Sequence, residues 1–170
     1  LIELERIQHV QTTYTNLQPE ACLGLMTEDF TRYIDSVIPL TAVKIGKMLT
    51  ADLTAGKARN AAKLPAAAAD VNKPAAMGIT VYDQTREGGS DWPAMRPTPV
   101  MRRGRIWVLA EGAIARWTTP FVRHAAGAGG TELGSFRGDA DTATATACPW
   151  VIALTDATAG SLVLVEISLF

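Results

Sequence analysis

The sequence predicts a mainly β fold, a small β-sandwich or barrel of jelly-roll-like or related form, with an extended N-terminal arm. After Pro39 the chain breaks into short apolar runs separated by turn residues, the spacing of an all-β sandwich or barrel. The closing residues alternate strictly: Leu162, Leu164, Glu166, Ser168 and Phe170 share one face, and Val163, Val165, Ile167 and Leu169 the other. No period of about 20 to 50 residues repeats, which argues against a solenoid or propeller.

The elements follow in order. Residues 1–36 form the arm, and residues 37–170 the β-rich domain. The arm is polar, with Gln8, Gln11, Thr12, Thr13, Thr15, Asn16 and Gln18 ahead of Pro19. Leu1, Leu4, Ile7 and Val10 make one narrow helical stripe, too short to hold without a docking surface. It reads equally as an arm that orders on a neighbour and as a frayed terminus. Strands are expected within residues 40–49, 61–64, 77–82, 100–109, 113–117, 121–124 and 143–148. The Ala-rich residues 64–74, enclosed by prolines, read as a helical turn or an extended loop. Turns fall at Gly88-Gly89-Ser90-Asp91, residues 127–130, Gly138-Asp139 and Ala159-Gly160, whose residue types tolerate positive φ or tight bends.

At 170 residues the chain suits one domain with a conventional core. Its 16 Lys and Arg against 17 Asp and Glu give a net charge of -1, so no global field favours nucleic acid or an anionic membrane. The longest apolar runs fall far short of the roughly 20 residues that span a bilayer, so a soluble protein is expected. Residues 1–10 carry Glu3, Glu5 and Arg6 where a secretory signal needs an apolar segment. Cys22 and Cys148 are too few and too far apart for a disulfide scaffold or a metal clip, and read as spectator thiols. His9 and His124 cannot build a zinc site by themselves.

Catalytic motifs are missing: there is no GxSxG, HExxH, P-loop or GxGxxG pattern, and Ser161 and Ser168 fall in a structural strand. Asp139 and Asp141, in Arg137-Gly138-Asp139-Ala140-Asp141, lack the further oxygen ligands of a calcium loop and read as a solvated turn. No catalytic residue, cofactor or metal is assigned. The rival enzyme reading is a small β-fold hydrolase or lyase using Asp139, Asp141 or His124. The densest charge is Arg96 with Arg102, Arg103 and Arg105, followed by Trp107. Arginine forks grip carboxylates and phosphates; with no basic total, carboxylates of a protein neighbour are the economical partner, and a solvated strand edge is the alternative. Trp107, Trp117 and Trp150 read as core or barrel-end residues. Trp92, between Asp91 and Pro93, is expected in an exposed loop, as an interface anchor or a loop-packing residue.

Several stretches, taken in order, resemble the head decoration or structural cement proteins of tailed phages. They are Ala62 to Leu64 with Pro65, Gly78-Ile79-Thr80-Val81-Tyr82-Asp83 followed by Gln84 to Glu87, Arg103-Gly104-Arg105-Ile106-Trp107-Val108, Leu133 to Arg137 with Gly138 to Asp141, and Ala159 to Ile167. The resemblance covers most of the chain from Ile38 onward, and Thr12-Thr13-Tyr14-Thr15-Asn16 resembles the family's leader. It implies a virion protein on the outer surface of the icosahedral head, assembled in the host bacterial cytoplasm. There it would bridge subunits of the major capsid protein against the pressure of packaged DNA. It implies self-association as a homo-trimer or homo-dimer, no cofactor, no direct contact with nucleic acid and no membrane. On this reading Tyr14, Trp92, Arg102, Arg103 and Arg105 are the expected interface residues, and residues 1–15 add to a capsid element, with strand addition as one mode. The alternative is a tail or baseplate β-domain that binds a receptor or carbohydrate.

Overall fold

The structure, a computed structural model, describes residues 21–27, 32–54, 56–83, 91–126 and 132–169. Along the chain run β1 (Tyr33–Pro39), β2 (Val43–Lys44), β3 (Met48–Ala51), β4 (Ala61–Lys63), a 3-10 turn (Ala68–Val71), β5 (Ala76–Thr80), β6 (Asp91–Trp92) and β7 (Thr98–Leu109). β8 (Phe121–Arg123), β9 (Phe136–Arg137), β10 (Ala145–Ala147), β11 (Val151–Ala153) and β12 (Leu162–Ser168) complete it. The fold is mainly β, as the alternation predicts.

The largest sheet runs β1-β4-β3-β5-β7-β12-β11, and β1 also pairs with β7. That extra pairing closes β1, β4, β3, β5 and β7 into a five-stranded ring, leaving β12 and β11 as a flap that extends from it. All the ring pairs are antiparallel except β1 with β4. β7 serves both parts because it is long: Thr98 to Arg103 meets β1, and Arg103 to Leu109 meets β12. Where β5 crosses β7 the backbones come very close. A Cβ on Gly78 would lie 2.4 Å from the Met101 carbonyl oxygen, and its φ of 130° is one that side chains rarely adopt.

Strand alternation sorts the apolar residues into two clusters. Val37, Leu49, Ala62 and Val100, with half-buried Met77, bring one residue from each ring strand into the smaller cluster, joined by Val43, Ile45 and Trp92. Their sequence neighbours Met48 and Met101 face the other way, into the larger cluster with Ile79, Ile106, Val108, Phe136, Trp150, Val163, Val165 and Ile167. The larger cluster lies between the ring, the flap and the small sheet β10-β8-β9. Each fully buried aliphatic side chain here contributes about 1.5–3 kcal/mol. β12 buries Val163, Val165 and Ile167 and turns Glu166 and Ser168 outward, the two faces its sequence predicts.

Two strand expectations are corrected, those for residues 40–49 and 113–117, whereas residues 64–74 hold the helical turn that was one of the two readings given for them. Residues 40–49 form two strands, β2 and β3, parted by a turn at Ile45 and Gly46. Residues 113–117 form no strand: Ile114 makes a single bridge to Ala157, and Trp117 stands in a turn. Residues 64–74 include the 3-10 turn, whose entry is held by Asp70 accepting from the N–H groups of Ala66 and Ala67 at 2.8 and 3.1 Å. β1 begins at Tyr33. Residues 24–27 already bond to β7, Met26 pairing with Ile106. The turn at 88–90, the turn at 127–130 and residues 1–20 of the arm lie outside the described residues.

Candidate functional site

The flap and the second half of β7 have two faces, and only one is packed. Ile106, Val108, Val163, Val165 and Ile167 bury the inner face. The strand period sends Arg103, Arg105, Trp107 and Leu109 of β7 to the outer face, opposite Ser168, Glu166, Leu164 and Leu162 of β12 respectively. Ile152 of β11, opposite Glu166, extends it, and Tyr33 of β1, opposite Arg103, closes its other side. Leu109 and Ile152 are 42% and 46% exposed. The face is thus apolar at one end and basic at the other. Arg105 Nε donates to Glu166 Oε2 at 2.8 Å across the strands, with both side chains well exposed, so the pair is worth little to stability.

The structure separates the four arginines. Arg103 and Arg105 share the outer face. Arg102, which precedes them and points to the other side of the strand, is half-buried and its Nη1 donates to Asp35 of β1 at 3.2 Å. Arg96 is exposed in the turn before β7. The exposed loop expected for Trp92 is also corrected. Trp92 is only 5% exposed, sits in the smaller cluster, and donates from Nε1 to the Val81 carbonyl at 3.1 Å. Its polar sequence neighbours concealed this, because β6 pairs with β2 and turns the ring inward. Tyr14 lies outside the described residues.

A second constellation lies beside the small sheet. Arg123 is 0% exposed, and its Nε reaches both carboxylate oxygens of Glu111 at 2.8 Å; Glu111 is itself 13% exposed. Arg123 Nη2 also pairs with Glu111 and Asp141, and Nη1 donates to Thr144 Oγ1 at 2.8 Å. Arg137 joins Glu111, Asp139 and Asp141 at 2.9, 2.8 and 2.7 Å. The hydrogen bond to Glu111, more than offsetting desolvation, pushes the Arg123 guanidinium above its ordinary value, so it stays charged. The hydrogen bond from Arg123 holds the Asp141 carboxyl below the ordinary carboxylate value. The carboxylates that drew attention as a candidate cation site are therefore spent on arginines, and the described residues contain no cluster able to hold a metal. The network fixes residues 141–143, three successive non-glycine residues at positive φ, against the sheet. Sequence reasoning found Asp139 and Asp141 but missed Arg123 and Glu111. The one signal was an arginine inside the apolar run Phe121-Val122-Arg123-His124-Ala125.

Cys148 is buried and Cys22 exposed, and both are free thiols. Burial pushes the Cys148 thiol well above its ordinary value, which leaves it unreactive.

A family model, described as structural cement protein (E217 gp24/Pam3 gp6), matches residues 10–168. The chain belongs to the structural cement protein family. This cement protein is also similar in fold to a chain of "The capsid of Myoviridae Phage XM1", with a TM-score of 0.70 at 13% identity, covering 94% of this chain and 98% of that one. A looser likeness, TM-score 0.42 at 13% identity over 82% of this chain and 96% of the other, is to "The crystal structure of head fiber gp8.5 N base in bacteriophage phi29". No curated protein matches the sequence. The family assignment makes the cement protein a virion component with a capsid-binding, structural role.

Proposed function

We propose that the cement protein sits in many copies on the outside of an icosahedral head and bridges neighbouring subunits of the major capsid protein, bracing them against packaged DNA. The observation that carries this reading is the outer face of β7 and β12. It exposes Leu109, Ile152 and the half-buried Trp107, Leu162 and Leu164 beside Arg103 and Arg105, and has one carboxylate, Glu166, among its described residues. Large apolar and aromatic side chains next to arginines, with few acidic groups, match the composition of protein interfaces. The complementary surface is an apolar patch rimmed by carboxylates. Binding at each site is modest, and the brace gains strength because one protein engages more than one subunit.

The test is to add purified protein to heads that lack it and measure bound copies as salt is raised. Wild type is expected to occupy the shell in a fixed ratio to the major capsid protein. The Arg103→Ala, Arg105→Ala double variant is expected to bind more weakly and with a shallower salt dependence. A salt dependence identical to wild type would remove the two arginines from the interface. Binding of only a handful of copies per head would overturn the bridging role.

A further inference from the structure

Trp117 is used neither by the core nor by the outer face. It is 64% exposed, and its φ of 61° puts a bulky residue in the left-handed region, where strain is expected. Hydrogen bonds hold the turn on both sides of it: Trp117 N–H donates to the Ala153 carbonyl at 2.8 Å, and Ala153 N–H to the Thr118 carbonyl at 3.0 Å. The Arg116 guanidinium lies over the indole, 5.0 Å from its centroid, and much of the rest of the ring faces solvent. Beside it opens a groove of about 640 Å³, within the range of roughly 300–1,000 Å³ typical of small-ligand sites. Ile114 and Ala115 give the groove apolar walls, and Thr118, Thr158, Ser161 and Asp156 bring three hydroxyl groups and one carboxylate to it. The Arg116 backbone N–H donates to Asp156 Oδ1 at 2.8 Å, which orients the carboxylate and leaves Oδ2 for a ligand. Thr158 Oγ1 and Ser161 Oγ lie 2.7 Å apart and share a hydrogen bond.

We infer that Trp117 and this groove form a carbohydrate site, whose ligand is a neutral oligosaccharide built of pyranose rings. A pyranose presents a flat patch of C–H groups on one face and hydroxyl groups around its edge. The indole offers a flat apolar surface to the first. Asp156 Oδ2 accepts strongly from adjacent hydroxyls, and the Thr118, Thr158 and Ser161 hydroxyls both donate and accept. Three features select this ligand class. The one carboxylate of the groove is balanced by Arg116 at its rim, which favours a neutral, hydroxyl-rich ligand over an anion or a cation. The volume suits a small ligand rather than the broad face of a protein partner, which buries about 1,200–2,000 Å². Holding the indole rigid in a strained turn lowers the entropy cost of ordering it on binding, and a ligand gripped by weak contacts gains most from that. The inference goes beyond capsid binding and does not depend on it, and its test contains no capsid.

The test is ligand-observed saturation-transfer NMR on the purified full chain, with cellotriose, triacetylchitotriose and lactose as probes and glycerol as a polyol that lacks a pyranose face. Wild type is expected to bind at least one of the sugars with a Kd on the order of 1 mM, with the ring C–H protons saturated most strongly, and to show no saturation of glycerol. Trp117→Gly removes the indole and relieves the left-handed backbone, so it should bind that sugar at least about tenfold more weakly. It should melt no lower than wild type. Asp156→Asn keeps an acceptor for the Arg116 N–H and should weaken binding severalfold, so it tests the site even if Trp117→Gly misfolds. No binding of any of the sugars, saturation of glycerol equal to theirs, or a folded Trp117→Gly or Asp156→Asn variant that binds as tightly as wild type would each overturn the inference.

Discussion

Arg123 shows most clearly how much rests on single residues. A guanidinium removed from water is tolerated only because Glu111 and Asp141 neutralise it and Thr144 takes a further N–H. Truncating it leaves Glu111 nearly buried with Arg137 as its remaining cation. Arg123→Ala is expected to lower unfolding free energy by about 3–5 kcal/mol in denaturant titration. Arg123→Lys should recover only part of this, because an ammonium cannot reproduce the two-pronged contact. The pH dependence follows from the carboxylates. Asp141, held down by Arg123, and Glu132, held down by Lys44 and then Lys47, have folded values below their unfolded ones. Their stabilisation is full above the ordinary carboxylate range and disappears as pH falls through the depressed folded values. Melting temperature should therefore hold from neutral pH to about 5 and fall below about 4. A fall beginning at pH 6 would mean that some other group governs it. None of this pairing was legible, because Glu111 and Asp141 lie 12 and 18 residues from Arg123 and no spacing rule connects them. The turn at residues 137–141 was legible from its glycine and aspartates, but whether those aspartates face water or an arginine is set by the fold.

At the scale of elements, legibility depends on whether the pattern is local. β12 could be read residue by residue, since a period of two with one wholly apolar face has no other comfortable conformation. Ile167→Ala on the inner face should cost about 2–5 kcal/mol in equilibrium unfolding, and Ser168→Ala on the outer face less than about 0.5 kcal/mol. Equal costs would mean the strand does not separate core from surface. The ring could not be read, because it depends on β1 running parallel to β4 and antiparallel to β7, pairings that join distant segments. Trp150 is buried as expected, but the burial of Trp92 and the exposure of Trp117 escaped the sequence. Trp92, with polar neighbours, is drawn inward when β6 pairs with β2, while Trp117, next to Ile114 and Ala115, is turned outward by its left-handed backbone. Within the candidate site the alternation of β7 explains why Arg103 and Arg105 lie on one face and Arg102 on the other. The expectation had grouped all three by sequence proximity, but a strand sends neighbours to opposite faces.

For the whole molecule, the net charge of -1 conceals an uneven distribution, with basic residues gathered on the outer face of β7 and carboxylates used internally around Arg123 and Arg137. A brace of this kind acts through many weak attachments, so its effect should appear in the particle rather than in any one contact. Heads carrying the cement protein are expected to retain packaged DNA to a higher temperature than heads without it, and heads given the Arg103→Ala, Arg105→Ala variant should fall between the two. Raising salt should move wild-type heads toward the bare ones, because it screens exposed ion pairs over a distance of about 10 Å at 0.1 M. The measurement is DNA release followed by a dye that cannot enter intact heads, over a temperature ramp at several salt concentrations. The salt response separates two causes of bracing. If apolar contacts through Leu109, Ile152 and Leu162 dominate, release temperature will barely move with salt and the variant will match wild type. If the arginines dominate, the two interventions will give the same shift, and adding salt to variant heads will change little further.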